Sequence, residues 1–177
     1  RNFDPVYDIP SLLRAIPRVL AQRPDARFVI VGRGPLEAEL KVLAQSLGIM
    51  DRVRFVGFVP NVELPDWLST MDVYVSTSLS DAGIAASTAE AMACGLPVVI
   101  TDSGENARWI EPGRNGFLVP LSEPGALAEK LLRLIDDPEL RSRLGAAGRA
   151  TIQERNDYQV EMAKMETLYQ QIDGKKP

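Results

Sequence analysis

Glu90 is the residue of this chain best suited to do chemistry. It stands in Glu90-Ala-Met-Ala-Cys-Gly-Leu-Pro-Val-Val-Ile100, which reads as a helix end, a tight stop and a buried strand. Gly95 supplies the left-handed residue that closes a helix. Residues 96–100 form an apolar, β-branched run with Pro97 near its start, the pattern of an inner parallel strand. A carboxylate in an apolar helix is costly unless something binds it. It could accept both hydroxyls of a ribose in a bidentate hydrogen bond. The plainer alternative is a buried Glu satisfied by backbone N–H groups.

Asp81-Ala-Gly-Ile-Ala-Ala86 leads into that helix, and its small residues let the backbone approach a ligand closely. The N–H groups and dipole of a helix start attract an anion, and a pyrophosphate fits. The alternative is an ordinary turn in which Asp81 or Ser80 caps the helix. Gly32-Arg33-Gly34 begins a dinucleotide fingerprint, but the third glycine falls on Glu37, so a nicotinamide dehydrogenase is not indicated. Gly34 then admits a phosphate or a sugar, and Arg33 is either a ligand contact or a solvated loop residue. Arg1 carries no signal alone.

The 177 residues include no His, which excludes His triads, His general bases and most zinc sites within this chain. The single Cys94 forms no internal disulfide and is expected to be a small buried residue in the helix-to-strand corner, in a reducing compartment. A net charge of -4 gives no footprint for nucleic acid or acidic membranes. No run of about 18 apolar residues is present. No signal peptide is visible, and the start at Arg1 instead of Met leads us to expect a missing upstream part.

The elements that must position these residues alternate. Helices are predicted over 11–23, 36–47, 63–69 and 84–94, and strands over 28–31, 53–56, 73–75, 98–100 and 117–119. Pro17 should kink or restart the first helix, and Pro35 should open the second. Beyond Pro120 three helices follow, over 125–135, 138–154 and 157–172. This alternation predicts a Rossmann-like parallel sheet with helices on both faces, followed by C-terminal helices. Ligands then sit at the carboxyl ends of the strands, among residues 32–35, 57–60, 76–83 and 101–105. Two units are expected, a Rossmann-like domain over 1–156 and a C-terminal helix and tail over 157–177. The stripe Tyr158, Met162, Met165, Leu168, Tyr169 and Ile172 either covers its own domain, the commoner case, or packs towards a missing partner domain.

These motifs, in this order, resemble the C-terminal, donor-binding domain of the family-four retaining glycosyltransferases, one half of a GT-B fold. The match covers nearly the whole chain. Residues 28–35 resemble the family's strand followed by Gly-x-Gly-Pro, and 53–59 its second strand and loop. Asp72-Val-Tyr-Val75 resembles the strand before the donor loop, 90–99 the Glu-Ala-Met-Ala-x-Gly-x-Pro-Val-Val signature, and 113–120 the segment that follows it. The resemblance implies that Glu90 is the second Glu of a Glu-x7-Glu motif and binds the donor ribose. Gly83, Ile84 and Ala85 would offer their backbone to the pyrophosphate and donor sugar, with Ser87 beside them. Val59, after Phe58, would meet the nucleobase. Gly32, Arg33 and Gly34 would complete the donor site, and Arg1 would neutralise the pyrophosphate. Arg1, Asp81 and Glu90 are then the catalytic set.

Two positions depart from the family. The first Glu of the motif falls on Ala82, with Asp81 beside it, and a Lys that follows Arg1 falls on Tyr7. Either the donor differs, or activity is weak, or Asp81 and Arg33 compensate; we favour a different donor geometry. The implied reaction moves a sugar from a nucleotide diphosphate sugar to an acceptor hydroxyl with retention, without a cofactor or metal. Catalysis would rest on positioning and on stabilising leaving-group charge. The acceptor, a glycan or lipid-linked saccharide, would belong to the missing domain, so the isolated chain is expected to be inactive. Cell-envelope polysaccharide synthesis in the cytoplasm, peripheral to the membrane through that domain, is the expected setting. The alternative is a non-catalytic nucleotide-binding module, a degenerate glycosyltransferase. A phosphorylase of the same fold is disfavoured because its cofactor Lys is absent from the loops; Lys41 and Lys130 fall on helices.

Overall fold

The structure, a computed structural model, describes residues 2–173. Arg1, expected at the pyrophosphate, and the tail after Asp173 lie outside the described residues. The chain runs α1 (Ile9–Leu20), β1 (Phe28–Val31), α2 (Glu37–Ser46), β2 (Val53–Gly57), α3 (Leu64–Ser69), β3 (Tyr74–Ser76), α4 (Ala86–Ala93), β4 (Val98–Thr101), β5 (Phe117–Val119), α5 (Pro124–Asp136), α6 (Pro138–Arg155) and α7 (Tyr158–Asp173). The α/β alternation read from the sequence is what folds.

All strand pairings are parallel, but among the described residues they form two hydrogen-bonded groups, β1-β2 and β3-β4-β5. The apolar run of β4 takes the central place in the second group, and all four of its residues are buried. Side chains on successive strand residues face opposite ways. Val99, Phe117 and Val119 therefore meet α1, α5 and α6 on one face. Val98, Ile100 and Leu118 meet α4 and the end of α6 on the other. A third cluster packs Leu13 and Ile16 of α1 and Leu40 and Ala44 of α2 against Ile30 and Val53. Helix α1 thus lies across both strand groups.

Several local expectations change. Pro17 sits in the last turn of α1, which continues to Leu20 as one helix. Pro35 lies in a turn before α2, whose N-cap is Leu36. The third strand is shifted by one residue, because Ser76 rather than Val73 pairs with β4. Helix α7 buries none of its residues, and its stripe is exposed, from 37% at Met162 to 76% at Tyr158. It does not cover its own domain.

Residues 2–8 tie the two strand groups together at their carboxyl ends. The Phe3 N–H donates to the Arg33 carbonyl at 2.8 Å, and the Leu36 N–H donates to the Phe3 carbonyl at 3.1 Å. Further along, the Leu79 N–H donates to the Val6 carbonyl at 2.8 Å and the Thr77 hydroxyl to the Tyr7 carbonyl at 2.9 Å. Gly34 is required at this seam, since a Cβ there would lie 2.5 Å from the Phe3 nitrogen. Backbone cannot give way as a side-chain tip can. Gly34→Ala should therefore destabilise the chain by about 1–3 kcal/mol, the usual cost of overpacking, read as a lower denaturant midpoint at unchanged slope.

Candidate functional site

Because every strand is parallel, the loops after β1 to β5 gather at one end, where ligands bind in open α/β sheets. Helix α4 opens there. Its N-cap is Ala85, in the extended region at φ -64° and ψ 139°, and no side chain caps it. Neither Asp81 nor Ser80 is the cap, because the helix starts two residues later than the spacing suggests. The N-terminal dipole is left without a protein acceptor from a side chain, which suits an anion.

Glu90 is the fifth residue of α4. Thr88, Ala89, Ala91 and Met92 are buried, whereas Ala86 and Ala93 are exposed. Glu90 lies on the exposed side of this division and is half-buried. Among the described residues its carboxylate makes no hydrogen bond or ion pair. Backbone satisfaction of a buried Glu, the plainer reading, is therefore not what the fold provides. The carboxylate stands at the edge of the core with its acceptor capacity unused by the described residues.

Gly83 has φ +89°, and nothing lies within 4 Å of where a Cβ would stand. Ile84 turns its side chain into the cluster under α4, which leaves the backbone of the loop for a ligand. The Ser87 and Tyr74 hydroxyls are 2.8 Å apart and fix α4 to β3. Asp81 is half-buried and Ala82 exposed.

The loops after β1 and β2 form a second part of the site. The buried Gly32 donates its N–H to the Gly57 carbonyl at 2.8 Å. A Cβ on Gly57 would stand 3.1 Å from Arg33 Nε, so the exposed Arg33 side chain lies over Gly57, next to Phe58 and Val59. Phe58 is 66% exposed. Gly34, by contrast, is committed to packing against Phe3. Tyr7 is half-buried, with its carbonyl engaged by Thr77.

Cys94 is exposed, contrary to the sequence expectation. It is the C-cap of α4 and faces away from the corner that Leu96 fills. Lys41 pairs with Glu37 at 2.7 Å and Lys130 with Glu129 at 2.8 Å, both on helices outside the loops. No three His, Cys, Asp or Glu among the described residues converge as metal ligands would.

Sequence reasoning missed the residues that hold the loop before α4. Thr101 and Ser103 both donate to the Ser78 carbonyl, Ser103 at 3.2 Å. Asn106, 1% exposed, donates to the Thr101 carbonyl at 2.9 Å. The sequence places residues 101–105 in a loop at the ligand end of the strands, but shows nothing of what they touch.

Parallel strands with helices on both faces make a Rossmann-like domain, matching the C-terminal half of a GT-B fold. The chain belongs to the glycosyl transferases group 1, whose family model matches residues 1–151. It is 32% identical over 166 residues to a GDP-mannose-dependent monoacylated alpha-(1-6)-phosphatidylinositol monomannoside mannosyltransferase of Corynebacterium glutamicum, covering 90% of this chain and 43% of that protein. It is also similar to Anabaena Alr3699/HepE in complex with UDP, with 26% identity and a TM-score of 0.84, over 96% of this chain and 47% of that one. The C-terminal domain of a group 1 glycosyl transferase, LpcC, from Francisella tularensis has the same fold, with a TM-score of 0.81, 24% identity and 89% and 83% of the two chains covered. The chain spans less than half the length of the curated relatives it matches.

Proposed function

We propose that this chain is the donor-binding half of a retaining glycosyltransferase that moves a sugar from a nucleotide diphosphate sugar to an acceptor hydroxyl. The observation that carries the reading is the Glu90 carboxylate, without a partner among the described residues, one turn inside the uncapped helix α4. The carboxylate would take the ribose hydroxyls, while the helix start and the backbone of Gly83, Ile84 and Ala85 would take the pyrophosphate. Arg33, with Phe58 and Val59, would border the nucleobase. Arg1 would add charge on the leaving phosphate, and Asp81 would face the donor sugar in place of the Glu that Ala82 lacks. The donor in the Corynebacterium relative's name is GDP-mannose and the nucleotide in the Anabaena complex is UDP; either base is compatible with a backbone-read pocket.

Catalysis here is positioning and stabilisation of leaving-group charge, without a metal or cofactor. The acceptor, a glycan or lipid-linked saccharide, would be held by a second domain, against which the apolar stripe of α7 would pack. Polysaccharide or envelope assembly at the cytoplasmic side of a membrane is the setting we assign. No helix among the described residues is long and apolar enough to cross a membrane; we place peripheral attachment in the second domain.

The test is sugar transfer by the whole protein from labelled nucleotide sugars, with the anomeric configuration of the product read by NMR. Transfer with retention supports the reading, and an inverted product overturns it. Ala82 and Tyr7 favour a second reading, a nucleotide-binding module without transfer. Nucleotide binding with no transfer to any acceptor tried would select it.

A further inference from the structure

The loop between β4 and β5 has no role yet in the site, although it presses on the segment that leads into α4. Gly104, at φ +55°, faces the Asp81 backbone. A Cβ on Gly104 would overlap the Asp81 carbonyl oxygen and lie 2.9 Å from its carbon. Three residues earlier in the donor loop, the Ser78 carbonyl receives the hydroxyls of Thr101 and Ser103. Asn106 ties the β4 side together through the Thr101 carbonyl at 2.9 Å. Ser78 is fully buried at 0% exposed, and Thr101, Ser103 and Asn106 are each below 7%. The donor loop is therefore held at Ser78 by the buried Thr101 and Ser103 and meets the exposed Gly104 at Asp81, besides its bonds to Val6 and Tyr7. Beyond Asp81 the Ile84 side chain packs against the cluster under α4, while nothing lies within 4 Å of a Cβ position on Gly83.

We infer that Gly104 and Thr101 are positioning residues that set where the backbone of residues 81–85 meets the donor's pyrophosphate. This rests on the donor-site reading above and adds the part of the fold on which its geometry depends. A displaced Asp81 carbonyl carries Gly83, Ile84 and Ala85 with it, because only three residues separate Asp81 from the N-cap Ala85. Backbone donors that miss the phosphate oxygens cost the bound state one or two charge-assisted hydrogen bonds.

Gly113 provides the control. It too has positive φ, +81°, but nothing lies within 4 Å of its Cβ position. An alanine strains the backbone at either glycine, yet only at 104 does it collide with the donor loop. The experiment compares Gly104→Ala, Gly113→Ala and Thr101→Val in the intact chain. Readouts are affinity for UDP, GDP, ADP and dTDP, thermal midpoint, and the backbone amide shifts of residues 80–87 without nucleotide. The expected result is that Gly104→Ala moves those amides and weakens the preferred nucleotide roughly tenfold or more. Gly113→Ala, at a similar midpoint, should do neither. Thr101→Val should act in the same direction as Gly104→Ala, which keeps the inference testable if Gly104→Ala fails to fold. Equal affinities of the Gly104→Ala or Thr101→Val and Gly113→Ala chains, in a wild type that binds, overturn the positioning role alone. A wild type that binds no nucleoside diphosphate overturns the donor-site reading and this role with it.

Discussion

Glu90→Ala should abolish most nucleoside diphosphate binding while leaving the fold intact. A carboxylate that accepts two ribose hydroxyls makes charge-assisted hydrogen bonds worth about 1.5–3 kcal/mol each, so roughly a tenfold to hundredfold loss or more is expected. Its removal costs the free chain little. The side chain is half-buried and has no partner among the described residues, so no donor is orphaned and no ion pair broken. The packed residues of α4 are its neighbours Ala91 and Met92, each 0% exposed, and these are untouched. Glu90→Gln keeps the shape but not the charge, and should fall between wild type and Ala. Isothermal titration measures the loss, and an unchanged thermal midpoint shows that the fold survives. Wild-type affinity in Glu90→Ala would remove the residue on which the donor-site account rests.

Leu144→Ala should produce a large loss of stability. Leu144 is 0% exposed in α6, in the cluster that joins α1, α5 and the central strands β4 and β5. Truncation forfeits its burial and leaves a cavity, a cost of about 2–5 kcal/mol. That is a large part of the roughly 5–15 kcal/mol by which such domains are stable. Helix α6 has no slack at this point, because the next residue, Gly145, is pressed against the Gly95 carbonyl. The contrast is Leu168→Ala on α7, where the side chain is 54% exposed and the change should stay within about 0.5 kcal/mol. Chemical denaturation of the two variants checks both. A loss at Leu168 as large as that at Leu144 would mean that α7 is covered in solution by something the single chain does not supply.

The parts of the fold written in local pattern were legible. The run before Ile100 is apolar on both faces, and it became the buried central strand. Gly95 ended α4, at φ +81°. The Glu90 signal was also local, an acidic residue in an apolar helix. What failed depended on contacts between distant residues. Cys94 looks buried by its neighbours in sequence, yet as the C-cap of α4 it is exposed. Helix α4 was placed two residues early because small, unbranched residues mark no boundary when no side chain caps the helix. The seam by which residues 2–8 tie the two strand groups together rests on such contacts too, and no periodicity announces it. Gly104 is the clearest case. Its positive φ suits any turn, whereas its contact with Asp81 spans 23 residues of chain and exists only once β3 and β4 are paired.

The central claim is that the carboxyl end of these strands binds a nucleoside diphosphate through Glu90. Ligand-observed NMR of the chain against UDP, GDP, ADP and dTDP, with Glu90→Ala as control, tests it most directly. The account predicts selective binding of one of the four, lost in the variant. Binding that persists in Glu90→Ala, or no binding of any of the four to the wild type, would contradict it.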